Sequence, residues 1–185
     1  MIMNTADTEE QNGGRLMVSF LKYYPVRYTD ISMESRIARD LIWGFKKGQY
    51  TDMVARNTAA KMKQCFGQDT SDLTFVCVPA STAEKNDIRY REFSEMVCRM
   101  TGAANGFDHV RVHEDRLALH ENHHEKSIDT VSVINFDEDY FAGRRVLCFD
   151  DVITRGLSFS RFADRLETMG ASVVGGFFLG KTTYR

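Results

Sequence analysis

The stretch VLCFDDVITRGLSFS, Val146 to Ser160, constrains this chain more than any other. An apolar run delivers two adjacent carboxylates, Asp150 and Asp151, to what reads as the end of a strand. A short loop with Thr154, Gly156 and Ser158 follows, and SFSRFADRLETMG then places Phe159, Phe162, Ala163, Leu166 and Met169 at helical spacing. Strand, acid pair, hydroxyl-and-glycine loop and amphipathic helix in that order belong in an α/β sheet, where ligands collect beyond the carboxyl ends of the strands. A tight turn into a helix N-terminus offers backbone N–H groups and the positive end of a dipole, which suits a phosphate. Gly156 permits close backbone approach and Thr154 and Ser158 add hydroxyls, while two neighbouring carboxylates match the vicinal hydroxyls of a sugar. A phosphorylated ribose fits that layout.

The rest of the chain repeats the alternation. RLMVSFLKYY reads as a strand running into a turn near Pro25. MESRIARDLIWGFKKG puts Ile37, Leu41, Ile42 and Phe45 on one helical face, with lysines in its last turn and Gly48 beyond. TDMVARNTAAKMKQCFG is a second helix, capped by Thr51 or Asp52 and stopped by Gly67. LTFVCVPAS is a buried strand entering a proline loop, and the helix after it buries Ile88, Phe93, Met96, Val97 and Met100. FDHVRVH is a short strand and ASVVGGFFLGK the last one. Strands alternating with helices predict a mostly parallel sheet covered on both faces. With no repeat or linker after Gly14, residues 15–185 read as one domain, and residues 1–14 as a flexible acidic tail.

Composition narrows the function classes. Apolar residues make up 43% and charged residues 27% of the 185, as expected of a globular domain. There is no apolar run of the ~18 residues that a membrane span requires, and the N-terminus lacks a secretory pattern, so a cytoplasmic setting is expected. The net charge of −2, with no basic stripe, argues against direct nucleic-acid binding. Four scattered cysteines (Cys65, Cys77, Cys98, Cys148) form no Cys-x-x-Cys pair and read as buried thiols.

The Asp-Asp loop resembles the phosphoribosyl pyrophosphate (PRPP) signature of type I phosphoribosyltransferases: an apolar strand, Asp-Asp, two apolar residues, Thr-Thr-Gly and a small hydroxyl residue. Arg155 stands where Thr is commonest and Leu157 where a small residue is frequent. More particularly, the chain is similar to competence proteins of the ComF type in YYPVRYTD, LIWGFKKGQY, TDMVARNTAAKM, CVPAST, RYREF and FAGRRVLCFDD. The N-terminal zinc module of many ComF proteins has no counterpart here, and RYREF is a reduced form of their Arg-Gly-Phe-Asn-Gln stretch.

The resemblance implies a type I phosphoribosyltransferase fold with a mobile hood loop, and transfer of the 5-phosphoribosyl group from PRPP to a small nitrogenous acceptor. Asp150 and Asp151 would engage the ribose hydroxyls, and Thr154, Arg155, Gly156, Leu157 and Ser158 the 5′-phosphate. Pro79, Ala80 and Ser81 would form a pyrophosphate loop, often of unusual peptide geometry, in which Ser81 or Thr82 equally reads as a helix cap. Lys46, Lys47 and Arg89 are candidate pyrophosphate partners. Mg2+ would be held through the substrate rather than by a protein cage, and a homodimer is compatible with this picture. HENHHEK, His120 to Lys126, has two histidines four apart but no helical amphipathicity, so a polar loop accounts for it better than a metal site. Loop 114–128 lies where the hood would be, with His124 and Lys126 as its contacts to pyrophosphate. An Asp that purine-type relatives use is replaced by Thr154, which argues against purine salvage. The alternative is a non-catalytic PRPP-binding regulator or a protein associated with competence and DNA uptake.

Gly175 to Thr182 fits the P-loop pattern Gly-x4-Gly-Lys-Thr. A working P-loop opens a helix, whereas only three residues follow Thr182, and Phe177, Phe178 and Leu179 suit a buried strand. The segment is therefore expected to be the edge or penultimate strand.

Overall fold

In the computed structural model, which describes residues 8–12, 14–112 and 134–184, the acid pair lies near the carboxyl end of an inner strand of a six-stranded sheet. Its strands are β1 (Thr8–Asn12), β2 (Arg15–Tyr23), β3 (Leu73–Cys77), β4 (Ala104–Asn105), β7 (Arg145–Ile153) and β8 (Ser172–Thr182), in the order β1-β2-β8-β7-β3-β4. β1 runs antiparallel to β2 and every other pairing is parallel. A separate antiparallel pair joins β5 (Val110–Val112) to β6 (Ile134–Phe136). The helices are α1 (Met33–Phe45), α2 (Thr51–Phe66), α3 (Ala83–Thr101), α4 (Glu138–Phe141) and α5 (Leu157–Thr168). The mostly parallel sheet with helices on both faces is the α/β architecture that the alternation predicts. Within the segment read as a tail, Thr8–Asn12 pair with Arg15–Ser19.

The two faces follow from side-chain alternation along the strands. On β7, Leu147 and Phe149 join the core beneath α1–α3, and Val146 and Cys148 join the core beneath α4, α5 and the β5–β6 pair. Phe149 packs its ring 4.5 Å from that of Phe93, 6.0 Å from Phe45 and 6.2 Å from Phe75. Full burial of such a ring stabilises the fold by roughly 1.5–3 kcal/mol. The residue before the acid pair is thus anchored from three elements, which fixes where the strand end lies.

Several local expectations are corrected. The N-cap position of α2 is Tyr50, in the left-handed region at φ 59°, without a side-chain cap. Thr51 donates its hydroxyl to the Gly48 carbonyl (3.2 Å), and Asp52 pairs with Arg56 (2.8 Å), so neither caps. Ile88 is exposed rather than buried: the inward stripe of α3 is Asn86, Tyr90, Phe93 and Val97, and Ile88 lies about half a turn away from it. Ile37 sits at the margin of the α1 stripe and is also exposed. The lysines after Phe45 fall in the following turn, not in α1.

Gly175 to Thr182 lie within β8, with no helix after them among the described residues, but β8 is an inner strand between β2 and β7 rather than the expected edge or penultimate one, because β1 and β2 add two strands beyond it. A Cβ at Gly175 would stand 2.3 Å from the Leu16 carbonyl oxygen, and one at Gly176 would stand 2.6 Å from the Phe159 ring. These glycines serve close packing of strand on strand and helix on strand. Lys181 is paired with Glu10 at 2.5 Å. Among the described residues no helix is long and apolar enough to cross a membrane.

Candidate functional site

β3 and β7 are hydrogen-bonded neighbours whose outgoing connections part company. The chain leaves β3 through α3, on one face, and arrives at β4; it leaves β7 through α5, on the other face, and arrives at β8. Such a divergence opens a crevice at the strands' carboxyl ends, the preferred ligand position of open α/β sheets. Both loops singled out in the sequence, Pro79–Ser81 and Asp150–Ser158, border it.

Asp151 is only 5% exposed and continues the Leu147–Phe149 side of β7. Its Oδ1 lies 3.3 Å from Lys46 Nζ, and its Oδ2 accepts a hydrogen bond from Arg89 Nη1. One cation comes from the turn after α1 and the other from α3, so the structure brings three of the sequence-selected charges together. Lys47, next to Lys46, is exposed. A buried carboxylate with two cationic partners is retained because losing one partner strands charge away from water.

Asp150 is placed differently. Its Oδ1 accepts from the Asp151 amide at 2.8 Å and from the Tyr90 hydroxyl at 3.5 Å. Burial pushes the Asp150 carboxyl well above the usual carboxylate range, and the charge of Asp151 adds to that; the Asp151 amide, Lys46 and Arg89 pull partly back. Tyr90 is also buried, and burial together with both carboxylates raises its phenol well above the usual range, so it stays a donor.

Asp150 and residues 152–159 line a concavity of ≈ 260 Å³. Gly156 stands at the N-cap position of α5 with φ 75°, a conformation that suits glycine, and the helix start has no side-chain cap. The first amides of α5 are therefore left to solvent or to an anion. Thr154, Arg155, Leu157 and Ser158 are exposed around it. The Thr154 hydroxyl is 2.8 Å from that of Thr182 at the end of β8. A larger hollow of ≈ 670 Å³ lies between α1 and the ends of β2 and β8, walled by Phe20, Leu21, Ile37 and Leu41. It contains neither the acid pair nor the glycine loop, whereas the smaller concavity holds Asp150 and the glycine loop.

The loop after β3 is tied down from within. Val78 donates its amide to the Phe149 carbonyl (2.8 Å), and Ala80 donates to Oδ1 of the buried Asn86 (3.0 Å). Thr82 is the N-cap of α3, its hydroxyl accepting from the Lys85 amide at 3.2 Å. Pro79 and Ala80 are buried and Ser81 half-buried. Among the described residues every peptide bond is trans, so the unusual peptide geometry implied for this loop is not found. The helix-cap account of the loop holds through Thr82.

Asn86 and Tyr90 escaped the sequence reading. They sit at i and i+4 on the stripe of α3 that also carries Phe93 and Val97, and polar members of a buried stripe are the signal that marks them. Loop 114–128, with His124 and Lys126, lies outside the described residues. No group of three or more His, Cys, Asp or Glu side chains able to hold a metal ion occurs among the described residues. Both oxygens of Asp151 face cations, so the acid pair offers no multidentate cage.

No protein-family model matches the chain, and no curated protein matches it.

Proposed function

We propose that this chain binds PRPP at the β3/β7 crevice and transfers its 5-phosphoribosyl group to a nitrogen nucleophile, releasing pyrophosphate. The observation that carries the reading is one loop: adjacent carboxylates at the end of β7, then an uncapped, glycine-initiated helix start, at the divergence of two connections. The amides and hydroxyls of 154–158 hold the 5′-phosphate. Asp150 and Asp151 accept the two ribose hydroxyls. Lys46 and Arg89, already in the crevice, hold the pyrophosphate end. Catalysis then comes from positioning and from stabilising charge on the leaving group. Mg2+ bound with the donor would neutralise part of that charge.

The second reading, a PRPP-binding protein without transfer activity, draws on a specific feature. Asp151 holds both cations that would stabilise the leaving group, which suits recognition as well as turnover. Calorimetric titration of the full chain with Mg-PRPP and Mg-ATP tests the ligand class. PRPP is expected to bind, to weaken about 10- to 100-fold in Asp150→Asn through loss of an acceptor oxygen, and to bind Lys181→Ala unchanged. Preference for ATP with dependence on Lys181, or no PRPP binding, would sink the proposal. Pyrophosphate release with any of a panel of nitrogenous bases selects the enzyme; binding without release selects the regulator.

A further inference from the structure

We infer that Asp151 is a built-in stand-in for a diphosphate: it occupies the Lys46–Arg89 cation pair until a ligand's diphosphate group displaces it, which frees the carboxylate for the sugar. The inference rests on the PRPP reading and adds an order of events to it. Three observations carry it. The two cations approach Asp151 from separate elements, and each meets a different carboxylate oxygen. Arg89 Nε is buried with no hydrogen-bond partner among the described residues. A guanidinium has a fork of donors matched to two oxygens of a phosphate, so Arg89 is left with a donor that Asp151 does not satisfy. Finally, the Lys46 side chain is 37% exposed, at the water-facing margin of the cluster, where a flexible ammonium can change partner by rotamer alone.

A diphosphate carries more charge than a carboxylate and offers more acceptor oxygens. Its arrival transfers Lys46 and Arg89 from Asp151 to the ligand, and Asp151 becomes an unpaired acceptor beside Asp150. The two ends of one donor molecule are thereby coupled: its diphosphate releases the acid that receives its hydroxyls. The consequence is a reversed sign. Removing a direct ligand weakens binding, whereas removing a competitor strengthens it.

Inorganic pyrophosphate is the probe, titrated calorimetrically into the full-length chain. Asp151→Asn is expected to tighten pyrophosphate binding about tenfold, and Lys46→Gln and Arg89→Gln to weaken it by a similar factor. Asp87→Asn removes a nearby exposed charge from α3 without touching either cation and should change affinity less than about twofold. Thermal melts check folding, and if Asp151→Asn does not fold, Asp151→Ser, which leaves room for water beside Arg89, carries the same expectation. Unchanged or weaker binding in the Asp151 variant overturns the inference, as does equal tightening by Asp87→Asn or no pyrophosphate binding in any variant. If PRPP binds as proposed but Asp151→Asn gains nothing, only this inference fails. If pyrophosphate behaves as expected and PRPP does not bind, the PRPP reading fails alone.

Discussion

The loops after β3 and β7 begin side by side on neighbouring parallel strands and both run directly into a helix, yet they are built to opposite specifications. After β3 the amides of Val78 and Ala80 are spent on Phe149 and Asn86, Thr82 caps the helix, and Pro79 and Ala80 are buried. After β7 the helix starts on a glycine with no side-chain cap, and residues 154, 155, 157 and 158 face solvent. One loop is a closed account of donors and acceptors; the other leaves donors over. The uncapped amides belong to the second. The first supplies the wall against which it is held, and Arg89 of α3, paired with Asp151 of β7, ties the two together.

That contrast can be broken at four places. Arg89→Met removes the tie and leaves buried Asp151 with Lys46 alone, so unfolding free energy from urea denaturation should fall by about 3–5 kcal/mol. Asn86→Ala opens the closed loop by removing the side-chain oxygen that accepts from the buried Ala80 amide, and the same assay should show a loss of about 1–3 kcal/mol. Gly156→Ala probes the open loop. A Cβ there has room, with Ile153 Cδ1 3.6 Å away, but φ 75° is unfavourable for alanine; a loss of about 1–2 kcal/mol is expected. Asp150→Asn comes last because its sign is opposite. The folded protein holds the Asp150 carboxyl above its unfolded value, through burial and then through Asp151. Ionising it therefore destabilises the fold progressively as pH rises from the unfolded pKa, about 3.9, toward the folded one. The variant lacks this penalty, so its urea midpoint should exceed that of the wild type at pH 7 while the two converge near pH 4. A midpoint lower than wild type at pH 7 would show that Asp150 contributes net stability.

The open loop was legible in the sequence because everything it needs is contiguous: strand, acids, glycine and helix occupy fifteen consecutive residues, Val146 to Ser160. The longer elements, β2, β3, β7 and β8 with α1, α2, α3 and α5, were legible for the same reason; β1, read as tail, and the two-residue β4 were not, because a short or polar strand carries no hydrophobic period of its own. The closed loop's chemistry was not, because it depends on α3. Which face of that helix points inward is decided by the phase of Asn86, Tyr90, Phe93 and Val97, and taking Ile88 as buried put the phase wrong. Tyr90 and Arg89 meet the acid pair across 60 and 62 residues of chain, beyond the reach of any local pattern. Tyr50 escaped for a different reason: the residues chosen as caps, Thr51 and Asp52, are good cap formers, but their side chains found other partners. Propensity names candidates and tertiary contact selects among them.

β1 has a meaning apart from the site. Among the described residues no strand pairs with its outer side, and its inner neighbour is β2, whose LMVSF core run would otherwise present an unpaired row of backbone donors and acceptors. Glu9 and Glu10 fasten β1 through Lys61 and Lys181, at 2.6 and 2.5 Å. A short edge strand whose side chains are held in ion pairs is a poor template for pairing with a second copy. Trimming the chain to Arg15 in pursuit of a tidier domain would expose a sticky hydrophobic rim and trade solubility for compactness.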